Sequence, residues 1–150
     1  VAAALGGAVS STSVDMSKTY LKWLQNNFDL NAVQERNHRL VQADCIAWLN
    51  QESNADKYDV IFLDPPSFSN SKRMEGILDI QRDHEMLIDL SMKMLSATGT
   101  LVFSNNLRKF KLSEQVSKNY HVVDWSKPSI DKDFERKNEI HRCWMIKYQA

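Results

Sequence analysis

Residues 58–73 read YDVIFLDPPSFSNSKR, and the rest of the chain is organised around them. Val60, Ile61, Phe62 and Leu63 form a short apolar, β-prone run after Asp59, the pattern of a strand buried on both faces in the middle of a parallel sheet. The run stops at Asp64-Pro65-Pro66. Two successive prolines remove two backbone donors and hold Asp64 and Pro65 extended, which makes a stiff elbow at the carboxyl end of the strand. A hydroxyl, Ser67, and an aromatic ring, Phe68, follow directly. Open α/β sheets bind ligands at that edge. A buried strand running into a proline-rich turn accounts for the same letters without a site. The coincidence of acid, double proline and aromatic at one strand end favours the site.

Upstream of the elbow, VAAAL reads as the last turn of a helix closed by Gly6-Gly7. Ala8–Val14 is predicted to be a strand leading to Asp15. Ser17 can cap a helix in which Tyr20, Leu21, Leu24 and Phe28 fall at helical spacing and are expected in the core. His38–Ala43 reads as a second strand, ending on Asp44, before a short helix with Cys45, Ile46 and Leu49 inward. Downstream, Asn70–Asp83 is polar and irregular, the composition of an active-site loop. Leu87, Leu90, Ser91 and Met94 mark an amphipathic helix, and Thr98-Gly99 is expected to turn into the strand Thr100–Ser104. Asn105-Asn106 follow it. Lys111–Lys118 is expected to be helical with Ser113 as its cap, and Tyr120–Trp125 and Ile140–Tyr148 to be two final strands joined by a charged loop. Strands alternating with helices imply an α/β fold, a mostly parallel sheet with helices on both faces and an antiparallel carboxyl-terminal edge.

The chain has 150 residues and a formal charge of zero, so any nucleic-acid surface must be local. Cys45 and Cys143 suit a reducing, cytoplasmic compartment rather than a disulfide framework. His38, His84, His121 and His141 lack metal-ligand spacing, and no metal is expected. No apolar run approaches a membrane span, and no membrane partner is expected. Val1 is not an initiator methionine, and the chain is read as part of a longer protein, with residues 1–150 a partial domain.

Asp15, Asp44 and Asp64 each follow a predicted strand. In a parallel sheet those ends share one edge, so the three carboxylates are expected to converge. An adenosine-type ligand needs such groups, one for a ribose diol and one for an exocyclic amine. A nicotinamide dehydrogenase would also need a glycine-rich turn after its first strand, and none is present.

The stretches STSVDMSKTYLKWLQNNFDLN, QADCIAWL, LDPPSFSNSKRM and FSNNLRKFKL resemble the class I S-adenosylmethionine-dependent methyltransferases that modify ribosomal RNA. More narrowly, they resemble the carboxyl-terminal half of the two-headed bacterial large-subunit rRNA methyltransferases of the K/L type. The resemblance covers nearly the whole chain, and DPPSFSNSKRM is its most specific part. It implies a Rossmann-like fold, S-adenosyl-L-methionine as cofactor, and methyl transfer to N7 of a guanine in 23S rRNA. It further implies that Asp15, with Met16, holds the cofactor ribose, that Asp44 and Cys45 face the adenine, and that Asp64, Pro65 and Pro66 line the junction of methyl donor and base. The family's first strand and its glycine-containing turn are expected ahead of Val1. In the family's order that strand separates the ones ending at Asp15 and Asp64. Those two strands are therefore not expected to pair with each other, and the slot between them should be filled by upstream residues or by a swapped segment from a neighbour, failing which the two halves should be displaced from their family positions.

Transfer to guanine N7 needs no general base, because the nitrogen carries an in-plane lone pair and no proton; placement and exclusion of water carry the rate. Asp64 and the free carbonyls of the elbow can stabilise the charge that develops on the base, and Phe68 is a stacking surface for it or a core ring of the loop. Lys72 and Arg73 after the elbow, with Arg108, Lys109 and Lys111 after the next strand, are candidate phosphate contacts. A pyrimidine C5 methyltransferase needs a cysteine nucleophile near this edge, and neither Cys45 nor Cys143 is expected there. The rival of another class is a non-catalytic module that docks RNA or a partner.

Overall fold

The computed structural model describes residues 1–51, 57–69, 77–131, 133 and 141–149, in two compact units, Val1–Trp48 and Leu49–Ala150. In the first unit, α1 (Ala2–Leu5) ends at Gly6, and Gly7 takes a φ of +95°, a backbone state that only glycine enters without strain. This is a helix stop, as the sequence suggested. The strand β1 occupies Ser11–Asp15, shorter than the expected run because Ala8–Ser10 stay irregular. The helix α2 (Lys18–Leu30) starts at Ser17, whose side chain accepts from the Tyr20 N–H at 3.3 Å. Phe28 is buried, packed against His38. Tyr20 is instead exposed, its ring tilted at 46° and 5.5 Å from that of an equally exposed Trp23. Of the expected core residues only Phe28 is buried; Leu21 and Leu24 are half-buried, and Tyr20, on the shoulder of the stripe, pairs with its i+3 neighbour. A 3-10 turn, Glu35–Asn37, leads into β2 (His38–Gln42), which pairs with β1 in parallel, Ser11 opposite His38 and Asp15 opposite Gln42. The helix α3 (Cys45–Gln51) follows, with Leu49 as its buried residue.

In the second unit, β3 (Tyr58–Leu63) pairs in parallel with β6 (Leu95–Asn105), β6 pairs antiparallel with β8 (Arg142–Lys147), and β8 with β7 (His121–Asp124), giving the order β3-β6-β8-β7. A two-residue ribbon, β4 (Phe68–Ser69) with β5 (Leu78–Asp79), sits between β3 and α4 (Ile80–Lys93) in sequence, and α5 (Glu114–Asn119) precedes β7. The alternation and the antiparallel end are as expected. Sequence assigned Asn70–Asp83 to one loop; the structure places Leu78–Asp83 in β5 and α4. Asp79 is the reason, since its carboxylate caps the helix by accepting from the Gln81 and Arg82 amides. Residues 70–76, and with them Lys72 and Arg73, lie outside the described residues.

Two further corrections concern the sheet. Thr98-Gly99 is not a turn, because β6 runs unbroken through it. The register shifts between Tyr58 and Val60, and a Cβ on Gly99 would stand 3.0 Å from the Asp59 carbonyl and 2.7 Å from Leu95. Gly99 thus permits a close strand approach at a bulge. Nor is β3 buried on both faces. Ile61 and Leu63 share the covered face with Leu101 and Phe103, while Val60 and Phe62 are 65% and 68% exposed on the other. Its ladder partner is β6, and among the described residues its far edge has none. β3 does not pair with β1, which is the relation expected from the family order.

The core of this unit lies between the covered sheet face and α4. Ile80, Leu87, Ile88, Met92, Leu101, Phe103 and Ile146 are all nearly inaccessible. Ser91, buried at the centre of α4, satisfies its hydroxyl by donating to the Leu87 carbonyl at 2.8 Å. No described helix is long and apolar enough to cross a membrane.

Candidate active site

At the carboxyl edge of β1 and β2, the first unit gathers four of the residues named from sequence. Asp15 ends β1, and its Oδ1 accepts from the Ser17 N–H at 2.6 Å. Asp44 caps α3, its Oδ1 accepting from the Ile46 and Ala47 amides at 2.8 and 3.0 Å. The chain is held here by cross-strand contacts: the Ala43 N–H donates to the Asp15 carbonyl, and the Gln42 amide to the Met16 carbonyl. Each acid is therefore a local cap, as its sequence position allowed, and among the described residues these capping bonds fall on Oδ1. The Cys45 thiol donates to the Val14 carbonyl. Much of that residue is exposed, but local burial of the sulfur, then Asp15, then Asp44, push its pKa up.

In the second unit the elbow is tied down on both sides. Asp64 Oδ1 accepts from Ser104 Oγ at 2.6 Å, and the Ser67 carbonyl accepts from the Ile80 N–H, so the loop after Pro66 is fixed to the start of α4. Phe68 lies in β4 opposite Asp79 and is 59% exposed, so it is not a core ring. Arg108, Lys109 and Lys111 follow the end of β6 and are exposed. Helix α4 grips this segment. The Gln81 side chain donates to the Lys111 carbonyl and accepts its N–H, both at 2.9 Å, while His84 Nε2 accepts from the Ser113 N–H at 3.0 Å. Phe110 is buried against His84, Phe103 and Trp144. The backbone of the basic segment is therefore fixed while its cationic side chains face solvent. Buried Asn105 accepts from the Leu107 N–H, and its Nδ2 is an unpartnered buried donor among the described residues.

One expectation needs correcting. Cys143 was expected away from the elbow, but it lies opposite Ser104 in the β6–β8 ladder and lines a groove shared with Asp64. Sequence could not show this, because β8 enters the sheet between β6 and β7 and not at its edge. Burial pushes the Cys143 thiol up; a hydrogen bond with Ser129 opposes this, and Asp124 and Asp64 add to it. The group stays protonated and weakly nucleophilic at neutral pH. Accordingly, if the full-length protein carries out the methyl transfer that the resemblance implies, Cys45→Ala and Cys143→Ala should leave that activity largely intact. Alkylation of Cys143 by iodoacetamide should accelerate only above the ordinary thiol range, about pH 8.5. A covalent adduct with a fluorinated pyrimidine RNA would contradict this assignment.

The chain is 55% identical over 148 residues to the ribosomal RNA large subunit methyltransferase K/L of Cellvibrio japonicus, and 52% identical over 150 residues to that of Marinobacter nauticus. These alignments cover 99% of this chain in each case, but 19% and 21% of those proteins, so the chain spans about a fifth of their length. Among solved structures, one described as a methyltransferase complexed with SAH matches with a TM-score of 0.80 at 26% identity, covering 97% of this chain and 41% of that one. A SAM-dependent methyltransferase from Agrobacterium tumefaciens matches with a TM-score of 0.72 at 18% identity, covering 98% and 51%. The fold is thus the Rossmann-like one of the class I methyltransferases, and, with residues 2–124 matching the family described as conserved hypothetical protein 95, the chain belongs to that family.

Proposed function

We propose that this chain is the catalytic domain of an S-adenosyl-L-methionine-dependent methyltransferase acting on N7 of a guanine in 23S rRNA. The observation that carries the reading is the pair of strand-end acids, Asp15 and Asp44, whose capping bonds among the described residues use Oδ1. That donor set fits an adenosine: the Asp15 carboxylate would accept from the ribose hydroxyls beside Met16, and Asp44 from the adenine amine beside Cys45. When bound, the cofactor supplies a methyl group on a sulfonium, which needs no metal and no covalent enzyme intermediate. The names of the relatives support rRNA as the acceptor, and the exposed cations Arg108, Lys109 and Lys111 on a fixed backbone suit phosphates. Lys72 and Arg73 are proposed for the same role.

Asp64, Pro65 and Pro66 are proposed to line the transfer site, with Phe68 as a stacking surface. The protein contributes orientation, a water-poor wall and a carboxylate near the developing positive charge. The remaining domains of the longer protein are proposed partners in holding the rRNA, and the cytoplasm, where that rRNA resides, is the proposed location.

The test is calorimetry with S-adenosylhomocysteine on the full-length protein carrying this domain. Asp15→Ala and Asp44→Ala should each weaken binding about 10- to 100-fold, the range for a hydrogen bond to a charged group. Unchanged affinity in both variants would reject the assignment and favour a domain that docks RNA without catalysis.

A further inference from the structure

Four residues form a row across the open face of the second unit's sheet, at its carboxyl edge. Asp64 stands one position beyond the Leu63–Phe103 pair and is bonded to Ser104. Ser104 lies opposite Cys143, and Trp125 follows the Asp124–Trp144 pair and donates its N–H to the Cys143 carbonyl at 2.8 Å. Strands about 4.8 Å apart make the row about 14 Å long. It floors a groove of about 550 Å³ that is also lined by Asn106, Ser129 and His141. That volume lies within the range of small-ligand sites. Trp125 is 41% exposed and lines the groove at the far end from Asp64. Ser129 Oγ and His141 Nε2 are joined at 2.9 Å beside it, so the rim presents hydroxyl, imidazole and carboxamide groups, with a carboxylate at the other end.

We infer that this groove is the nucleobase pocket of the domain, and that Trp125 is the stacking platform that fixes the acceptor base in front of Asp64. The inference rests on the reading of the chain as an rRNA methyltransferase and adds the residue that holds the base. A planar ring is the ligand class that an indole face and a narrow polar rim recognise together: stacking is indifferent to base identity, while Asn106, Ser129 and His141 can address the edge. Phe68 lies in the β4–β5 ribbon and does not line the groove, so the stacking role proposed for it falls on a nucleotide flanking the acceptor base. Phe62, Val102 and Met145 continue the floor as an apolar surface beneath the ring.

The experiment uses the full-length protein, a 23S rRNA transcript and radiolabelled S-adenosylmethionine, with Trp125→Leu and Trp125→Phe as the two variants. Leucine keeps apolar bulk and removes the aromatic face; phenylalanine keeps a face. Trp125→Leu should lower kcat/KM for the transcript about 10- to 100-fold, the value of one base–aromatic stack. Trp125→Phe should regain most of this. Affinity for S-adenosylhomocysteine should be unchanged in both. Equal activity of Trp125→Leu and wild type overturns the inference, because packing alone then suffices. A parallel fall in cofactor affinity and transcript methylation, unrelieved by phenylalanine, overturns it as well, since Trp125 is then a structural wall. A wild-type protein that leaves the transcript unmethylated rejects the underlying function instead.

Discussion

Replacing Asp64 by Asn should slow methyl transfer about 10²- to 10³-fold while leaving the fold intact. Methyl transfer from a sulfonium moves positive charge onto the acceptor nitrogen, and a fixed negative group beside that nitrogen stabilises the transition state more than the neutral base. Under the proposed function, the position of Asp64 suits that role. It ends β3, its Oδ1 takes the Ser104 hydroxyl at 2.6 Å, and Pro65-Pro66 stiffen the chain beyond it. Asparagine retains the Oδ1 acceptor and the volume, so the change isolates the charge. Single-turnover rates should fall with little change in transcript affinity. Ser104→Ala should cost less, since it frees the carboxylate without neutralising it. An asparagine variant at the wild-type rate would reduce Asp64 to a structural partner of Ser104.

The order of elements was legible because local signals were strong at their junctions. Ser17 and Ser113 both cap their helices as read. Asp15 and Asp44 do fall together at one edge, because β1 and β2 pair in parallel and a parallel pair puts its carboxyl ends side by side. The amphipathic pattern at Leu87, Leu90, Ser91 and Met94 marked the inner face of α4 correctly. Periodicity reports what a stretch can bury, however, and not what is there to bury it. Val60 and Phe62 read like Ile61 and Leu63, but only the latter pair faces the packed core. An apolar run in a strand therefore left one-sided and two-sided burial unresolved.

Non-local register was the other limit. Whether Cys143 approaches Asp64 depends on where β8 enters the sheet, and no feature of RCWMIK encodes that position. Trp125 was hidden for the same reason. It looked like the last residue of a strand, and only the β7–β8–β6–β3 ladder places it on a line with Asp64. The grip of α4 on Lys111–Ser113 was equally invisible, since Gln81 read as a loop residue before Asp79 was recognised as a helix cap. What sequence could have offered is the coincidence that all these residues lie within a few positions of a strand end.

Phenylalanine on the two faces of this sheet gives the sharpest energetic contrast. Phe103→Ala should destabilise the domain by about 3–5 kcal/mol, and Phe62→Ala by under about 0.5 kcal/mol. The two residues lie on adjacent, paired strands, one position out of step, so the pleat sends them to opposite sides. Phe103 is fully buried, stacked on Trp144 at 5.7 Å and set against Phe110 at 5.8 Å and His84 at 6.5 Å. Alanine there removes the ring that these three share, and the cavity cannot close without moving α4 or the β6–β8 ladder. A loss of that size is a large part of the 5–15 kcal/mol that typically holds a domain together. It should also loosen Phe110 and with it the basic segment Arg108–Lys111. Phe62 is 68% exposed, so its truncation removes little buried surface. Urea unfolding followed by tryptophan fluorescence measures both, with Trp144 reporting directly on the Phe103 site. Similar midpoints for the two variants would mean that the open face of β3 is packed in solution as firmly as the closed one.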